Sequence, residues 1–386
     1  MRPLIFVIFW TLLIPQWASA YPEFIGYKYT SCVTCHYNGQ GSGPLNDYGR
    51  AVWASEIAGR MFAGNKTAEQ LGESSGFLGK KEMWWWFKPG IKARQLAYHD
   101  NAGKSNSDTR TILMQAEVNT AILLKKDQSL ALIGSFGYIP TPYSAKTNPA
   151  SPKFDNWISR EHYLRWQASE TTWLYAGMVD KVYGLRISNH MAFSRRFTGL
   201  NQSDQSHGLV YHYIKPNWEF TVNGFLGSLY QKSELRQVGG SMMFEYDIAQ
   251  DFRIGTSALV SSNDFIDMKR FGIHSKRGYG NGTAILFEMG IIDNAPKFST
   301  ARMGYYLFSE AMQRIKRGYH FFISGQAYKE DMSGKYQDTL RFGAGLLMFP
   351  MQRLEFRLEA ENERKLASDE VQDEKWSILG QVHLSM

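Results

Sequence analysis

The chain has 386 residues and a formal net charge of +7, with a sequence pI near 9.1 and a mean hydropathy of −0.36. That hydropathy excludes a bundle of membrane helices but not a membrane barrel, in which only alternate residues meet lipid. The positive charge is spread along the chain without a basic run, which argues against nucleic acid as a partner, and the length leaves room for two or three domains.

The first element is an apolar run from Leu4 to Ile14 behind Arg2, followed by Ala18-Ser19-Ala20. A short positive region, an apolar core and small residues before a cut predict a cleaved signal peptide over 1–20, with a mature chain starting at Tyr21. A retained membrane anchor is the competing reading, and the run is short for a span.

Residues 21–82 are rich in Gly and small polar residues and hold both cysteines of the chain. The string Cys32-Val33-Thr34-Cys35-His36 has the spacing of a c-type haem attachment site. Two thiols three residues apart can add to the vinyl groups on one edge of a porphyrin, and the adjacent His supplies the proximal nitrogen to iron. A redox dithiol or half of a zinc site would also use C-x-x-C. The dithiol expects βαβ surroundings, and zinc needs two further ligands; the sequence offers neither. After the Gly-rich loop at 39–44, a helix is predicted from Tyr48 to about Met61, capped by Asn46 or Asp47. Its small residues Ala51, Ser55 and Ala58 leave room for another group to pack closely.

From Met83 to Met386 segments of about ten residues alternate apolar and polar, with turn residues between them. Phe220, Val222, Gly224 and Leu226 oppose Glu219, Thr221 and Asn223; Leu354, Phe356, Leu358 and Ala360 oppose Arg353, Glu355, Arg357, Glu359 and Glu361. Successive side chains of a strand point to opposite faces. A soluble sandwich would turn the apolar face inward; a membrane barrel turns it to lipid and keeps the charges in a wet lumen. The number of segments, the charged second face and the large aromatics at segment ends predict an antiparallel transmembrane barrel of 14–18 strands, sixteen as the central value. A long loop between Phe136 and Trp157 and a tight turn at Pro350 would lie at opposite ends.

Two resemblances extend this reading. Residues Cys32 to Arg50, with Gly39, Gly41, Gly43, Pro44, Leu45 and the Gly49-Arg50 pair, resemble the opening of class I cytochrome c domains. That resemblance implies a small, mainly α haem domain over 21–82, one covalent haem c on Cys32 and Cys35, His36 as proximal iron ligand and Pro44 packed near it. Met61, in Met61-Phe62-Ala63-Gly64, is the candidate sixth ligand the family suggests; a packing role is the other reading, His99 and Met83 come next, and the iron could also be five-coordinate. The alternating C-terminus from Trp376 to Met386 resembles the closing strand of bacterial outer-membrane proteins, with Met386 where that family usually ends in an aromatic. Together the two halves resemble porin–cytochrome proteins of Gram-negative bacteria.

The expectation is a haem-c electron relay of the outer membrane, associated with a porin-like barrel and with periplasmic or outer-membrane partner cytochromes. The alternative is a transport channel whose haem segment is a plug, gate or sensor. The lumen-facing Arg94, Arg165, Arg253, Arg302, Arg341, Arg353 and Arg357 would favour anions, offset by Glu117, Glu219, Glu355 and Glu359. An enzyme such as a haem peroxidase is the remaining reading, and no distal His lies within 21–82 to serve it.

Overall fold

A computed structural model describes residues 22–41, 43–81, 84–101, 107–138, 156–187, 189–201, 204–334, 337–367 and 370–385. The signal peptide expected over 1–20, Met83, and most of the long loop after Phe136 lie outside the described residues.

Every strand from β1 (Phe87–Asn101) to β17 (Glu370–Ser385) runs antiparallel to its neighbours, and β1 pairs with β17, so the sheet closes on itself. The short β4 (Trp157–Ile158) and β5 (His162–Ser169) both pair with β3 (Leu130–Tyr138). They share one position, and the described residues form a sixteen-strand barrel, the number expected. Closure leaves no edge with unpaired backbone groups.

The alternation decides between sandwich and barrel. In β8 (Trp218–Phe225), Val222 is 38% exposed while Glu219 is 5% and Thr221 1%. In β16 (Leu354–Ala367), Leu358 is 48% exposed and Glu359 3%. Soluble cores do the opposite. The inward charges are paired: Arg253 holds Glu219 at 2.6 Å and Asp247 at 2.5 Å, Lys276 holds Glu245 at 2.6 Å, and Arg341 holds Glu363 at 2.6 Å. Large aromatics are exposed near strand ends, Trp84, Trp85, Trp86 and Trp166 toward one rim, Trp157 and Trp376 toward the other.

At one rim the connections shrink to two residues, at 170–171, 216–217, 250–251, 317–318 and 352–353. At the opposite rim they include 180–205 and 226–237. The turn expected at Pro350 falls instead at Gln352–Arg353, with Arg353 at φ 77°. Pro350 is the penultimate residue of β15 (Asp338–Met351), where the pairing register shifts, a place where its missing N–H costs no ladder bond.

Residues 22–81 fill the short-turn rim from inside. They contain only brief helices: α1 (Pro22–Ile25), α2 (Asp47–Val52) with a π turn over Trp53–Ile57, and α3 (Ala68–Glu73). The helix expected to reach Met61 ends at Ala58, where the backbone becomes extended. Its small face receives a wall turn, because Arg317 donates to the carbonyls of Ala54, Ser55 and Ala58. Phe24, Val52 and Ile57 form one core with Met312, Phe322, Leu347 and Phe349 of the wall. Trp53 packs edge-on to Phe349 at 4.6 Å. Each such buried side chain contributes about 1.5–3 kcal/mol.

The expectation of a small, mainly α, class I-like cytochrome domain is therefore corrected. Residues 22–81 do not enclose a core of their own; their apolar side chains are buried against the barrel wall. The chain is a plugged barrel, and its resemblance to a cytochrome–porin fusion does not hold at the level of fold. Among the described residues, no group of three or more His, Cys, Asp and Glu is placed to hold a metal ion, around Cys32 and Cys35 or elsewhere.

Candidate functional site

A second segment enters from the opposite rim. The connection 180–205, between β6 (Thr172–Val179) and β7 (Ser206–Lys215), folds inward and contains the short helix α4 (Phe193–Arg196). It crosses the lumen because its backbone finds partners on the far wall. Leu185 N–H donates to Glu288 Oε2 at 2.9 Å, Phe193 N–H to Gln326 Oε1 at 2.7 Å, and Arg341 donates to the Met191 carbonyl at 3.1 Å. Leu185 and Ala192 meet Ile25 of the plug in one apolar cluster with Ala284, Leu286 and Phe308.

Between plug and inward loop lies a cavity of about 300 Å³. The plug contributes Phe24, His36, Gly41, Pro44, Leu45 and Trp53; the loop contributes Asp180, Arg186, His190 and Arg195. A smaller space of about 40 Å³ adjoins it, lined by Cys32, Cys35, His36, Gly41 and Arg186.

The thiol segment is shaped by its own backbone. Cys32–Thr34 is a single 3-10 turn in which the Cys35 N–H donates to the Cys32 carbonyl at 3.2 Å and the His36 N–H donates to it at 3.0 Å. Tyr37 N–H donates to the Pro44 carbonyl at 3.2 Å, which returns the Gly-rich loop against His36. Asn46 stitches this turn to α2: its side chain accepts from Gly49 N–H at 2.8 Å as the helix cap and donates to the Thr34 carbonyl at 3.0 Å. Gly49 is obligatory, since a Cβ there would stand 2.3 Å from the Cys35 carbonyl oxygen. Gly41, at φ 81°, lies so close that a Cβ would be 2.9 Å from Cys32 Sγ. Both cysteines are free thiols, and burial pushes the Cys35 thiol up to about 12.

The expected residues are thus separated by the fold. Cys32, Cys35, His36 and Pro44 come together at the cavity. Met61 does not join them; it is 58% exposed and its N–H donates to the Pro350 carbonyl at 3.0 Å, on the short-turn rim. His99 is in β1, bonded to Thr109 at 2.8 Å. The sequence places His190 only on a lumen or loop surface and does not single out Arg195, because a loop that turns into a lumen carries no periodic signal.

Charge in the cavity is unbalanced. Eight Arg and Lys side chains line it against four carboxylates. Arg160 holds Glu117 at 2.6 Å, Arg186 pairs with Asp180, and Lys88 holds Asp47 at 3.1 Å. Arg94 lines the cavity from β1, as expected, and Arg353 donates to plug carbonyls of Ser74 and Gly76.

No family model matches the chain, and no curated protein matches it. Solved structures do. A loop-deletion form of OmpT, an outer membrane protein of Vibrio cholerae, is similar at 9% identity and a TM-score of 0.61, over 78% of this chain and 99% of that one. OprB of Pseudomonas putida is similar at 8% identity and a TM-score of 0.59, over 78% and 94%. An anion-selective porin from Comamonas acidovorans is similar at 7% identity and a TM-score of 0.57, over 78% and 99%. At such identities these likenesses establish the barrel fold.

Proposed function

We propose that the chain is a porin-like channel of a Gram-negative outer membrane whose segment 22–81 is a plug seated in the periplasmic mouth. The observation that carries this is the inverted burial of the wall, apolar side chains outside and paired charges inside, combined with a lumen narrowed from both ends. The proteins of similar fold are outer-membrane proteins and porins by their descriptions, one of them anion-selective, and the cationic excess of the cavity suits the same preference. Planar-bilayer conductance of the full chain and of a chain lacking 22–81 tests this. We expect small, anion-preferring currents that rise severalfold without the plug; equal conductance of the two chains would remove the plug from the reading.

A second feature of the plug supports a cofactor. Cys32, Cys35 and His36 fit a covalently attached haem c. The two cysteines and His36 line one space, and Gly41 leaves the room that any side chain would fill against Cys32 Sγ. Cys32 and Cys35 would hold the porphyrin by thioethers and His36 would give its nitrogen to iron. Such a group supplies one-electron oxidation and reduction, and a partner cytochrome would then be needed to exchange electrons with it. The chain's own residues would bury it between Phe24, Trp53 and the inward loop and surround it with positive charge. A pyridine haemochrome of the outer-membrane fraction, lost on Cys35→Ala, is the expected result after expression with haem-attachment machinery. Correctly inserted protein with no c-type spectrum would leave the channel reading standing and remove the haem.

A further inference from the structure

Arg195 is 3% exposed, on the inward loop, and lines the cavity beside the plug. Among the described residues its guanidinium makes no hydrogen bond and no ion pair. The other buried arginines of the lumen are held: Arg253 by Glu219 and Asp247, Arg341 by Glu363, Arg186 by Asp180. An unpaired buried charge is costly, and the loop is fixed by other bonds, those of the Leu185 and Phe193 N–H groups. Burial and the repulsion of Arg186 outweigh the more distant attraction of Asp180, Glu288 and Asp204 and lower its affinity for a proton, to a pKa of about 9. A planar fork of donors aimed into a cationic cavity matches a carboxylate, which can accept from it in bidentate fashion.

We propose that Arg195 is a carboxylate-binding site inside the channel. The carboxylate has two sources of one chemistry: a dissolved organic acid passing through the lumen, or a propionate of a haem attached at Cys32 and Cys35. The proposal rests on the channel reading only for the route by which a solute arrives.

The test uses the full chain folded in detergent. Succinate is titrated calorimetrically into haem-free wild type, Arg195→Gln and Arg195→Lys, and the haem-loaded forms are titrated potentiometrically. For a dissolved acid, haem-free wild type binds succinate, Arg195→Gln weakens it tenfold or more, and Arg195→Lys recovers part of the loss. For a propionate, the loaded wild type no longer takes succinate, and Arg195→Gln moves the haem potential downward, because a lost positive charge favours the oxidised state. Arg195→Gln is expected to melt no lower than wild type, as removal of an uncompensated charge should be neutral or stabilising, so a fold defect will be visible as a fall in melting temperature. Succinate affinity and haem potential both unchanged in Arg195→Gln, or no succinate binding by a haem-free chain that also takes no haem, would overturn the proposal. Failure of the channel reading is separate: it is the absence of conductance in the plugged and unplugged chains alike.

Discussion

The wall and the plug of this molecule solve burial in opposite ways. Wall strands turn hydrocarbon outward and hide charge, so Val222 and Leu358 are open while Glu219 and Glu359 are closed in. The plug does what soluble chains do, hiding Phe24, Val52 and Ile57, but the surface it hides them against belongs to the wall, at Met312, Phe322 and Phe349. The wall is therefore apolar on both faces near the plug and charged on its inner face elsewhere. The lesson is that the inside of a barrel has no single solvent. Each stretch of strand is written for whatever lies beside it, which is lipid outside, water and counter-charges in the lumen, and packed protein at the plugged end.

The comparison is broken most severely by Arg253→Leu. It strands Glu219 and Asp247 without their shared cation, and loss of one partner from a buried charge network costs about 3–5 kcal/mol. We expect a large fall in the urea midpoint of the wall, read by tryptophan fluorescence. Next is Val222→Arg on the outer face. In lipid it should cost about 2–4 kcal/mol near mid-membrane, measured by unfolding from vesicles; a change within about 0.5 kcal/mol, as on a soluble surface, would remove the membrane from the account. Asn46→Ala acts on the plug alone. It deletes the cap to Gly49 and the bond to Thr34, worth about 1 kcal/mol, and should speed proteolysis within 22–81 while the wall melts as before.

The smallest effect is on pH. In the haem-free chain the Cys35 thiol is raised from its ordinary 9.0 to about 12 by burial. A raised thiol means the folded state holds the proton more tightly, so its contribution is constant below about pH 9 and stability falls as pH rises from 9 toward 12. At pH 8 iodoacetamide should label Cys35 far more slowly in the folded chain than in urea. Equal rates would show that the plug is open around the thiol.

How much of this was legible follows from the range of each signal. The wall could be read directly: Leu354 to Glu361 alternates without exception, and period two is the property of a single strand. The same period bounded the strand count at 14–18, and the even-number preference of bacterial barrels centred it on sixteen. The cap was narrowed to Asn46 or Asp47 because capping is settled within four residues; the structure assigns it to Asn46. The plug was misread as a small cytochrome-like domain because Cys32 to Arg50 is a local pattern, and local pattern does not say what a segment packs against. Met61 was a candidate on its neighbours Phe62, Ala63 and Gly64; the fold carries it to the rim, where Pro350 takes its N–H.

The pleat of the wall, the direction each face looks, the turn that sets Cys32, Cys35 and His36 together and the glycines that turn demands all follow from the order of residues along the chain. Those depend on neighbours in the chain. That 22–81 lies inside the barrel, that the loop 180–205 turns in to meet it, and that His36, His190 and Arg195 line one cavity became visible in the folded chain alone. Those juxtapositions join residues about 160 apart in sequence, and they arise from closure of the sheet, a long-range event that no short window of residues encodes.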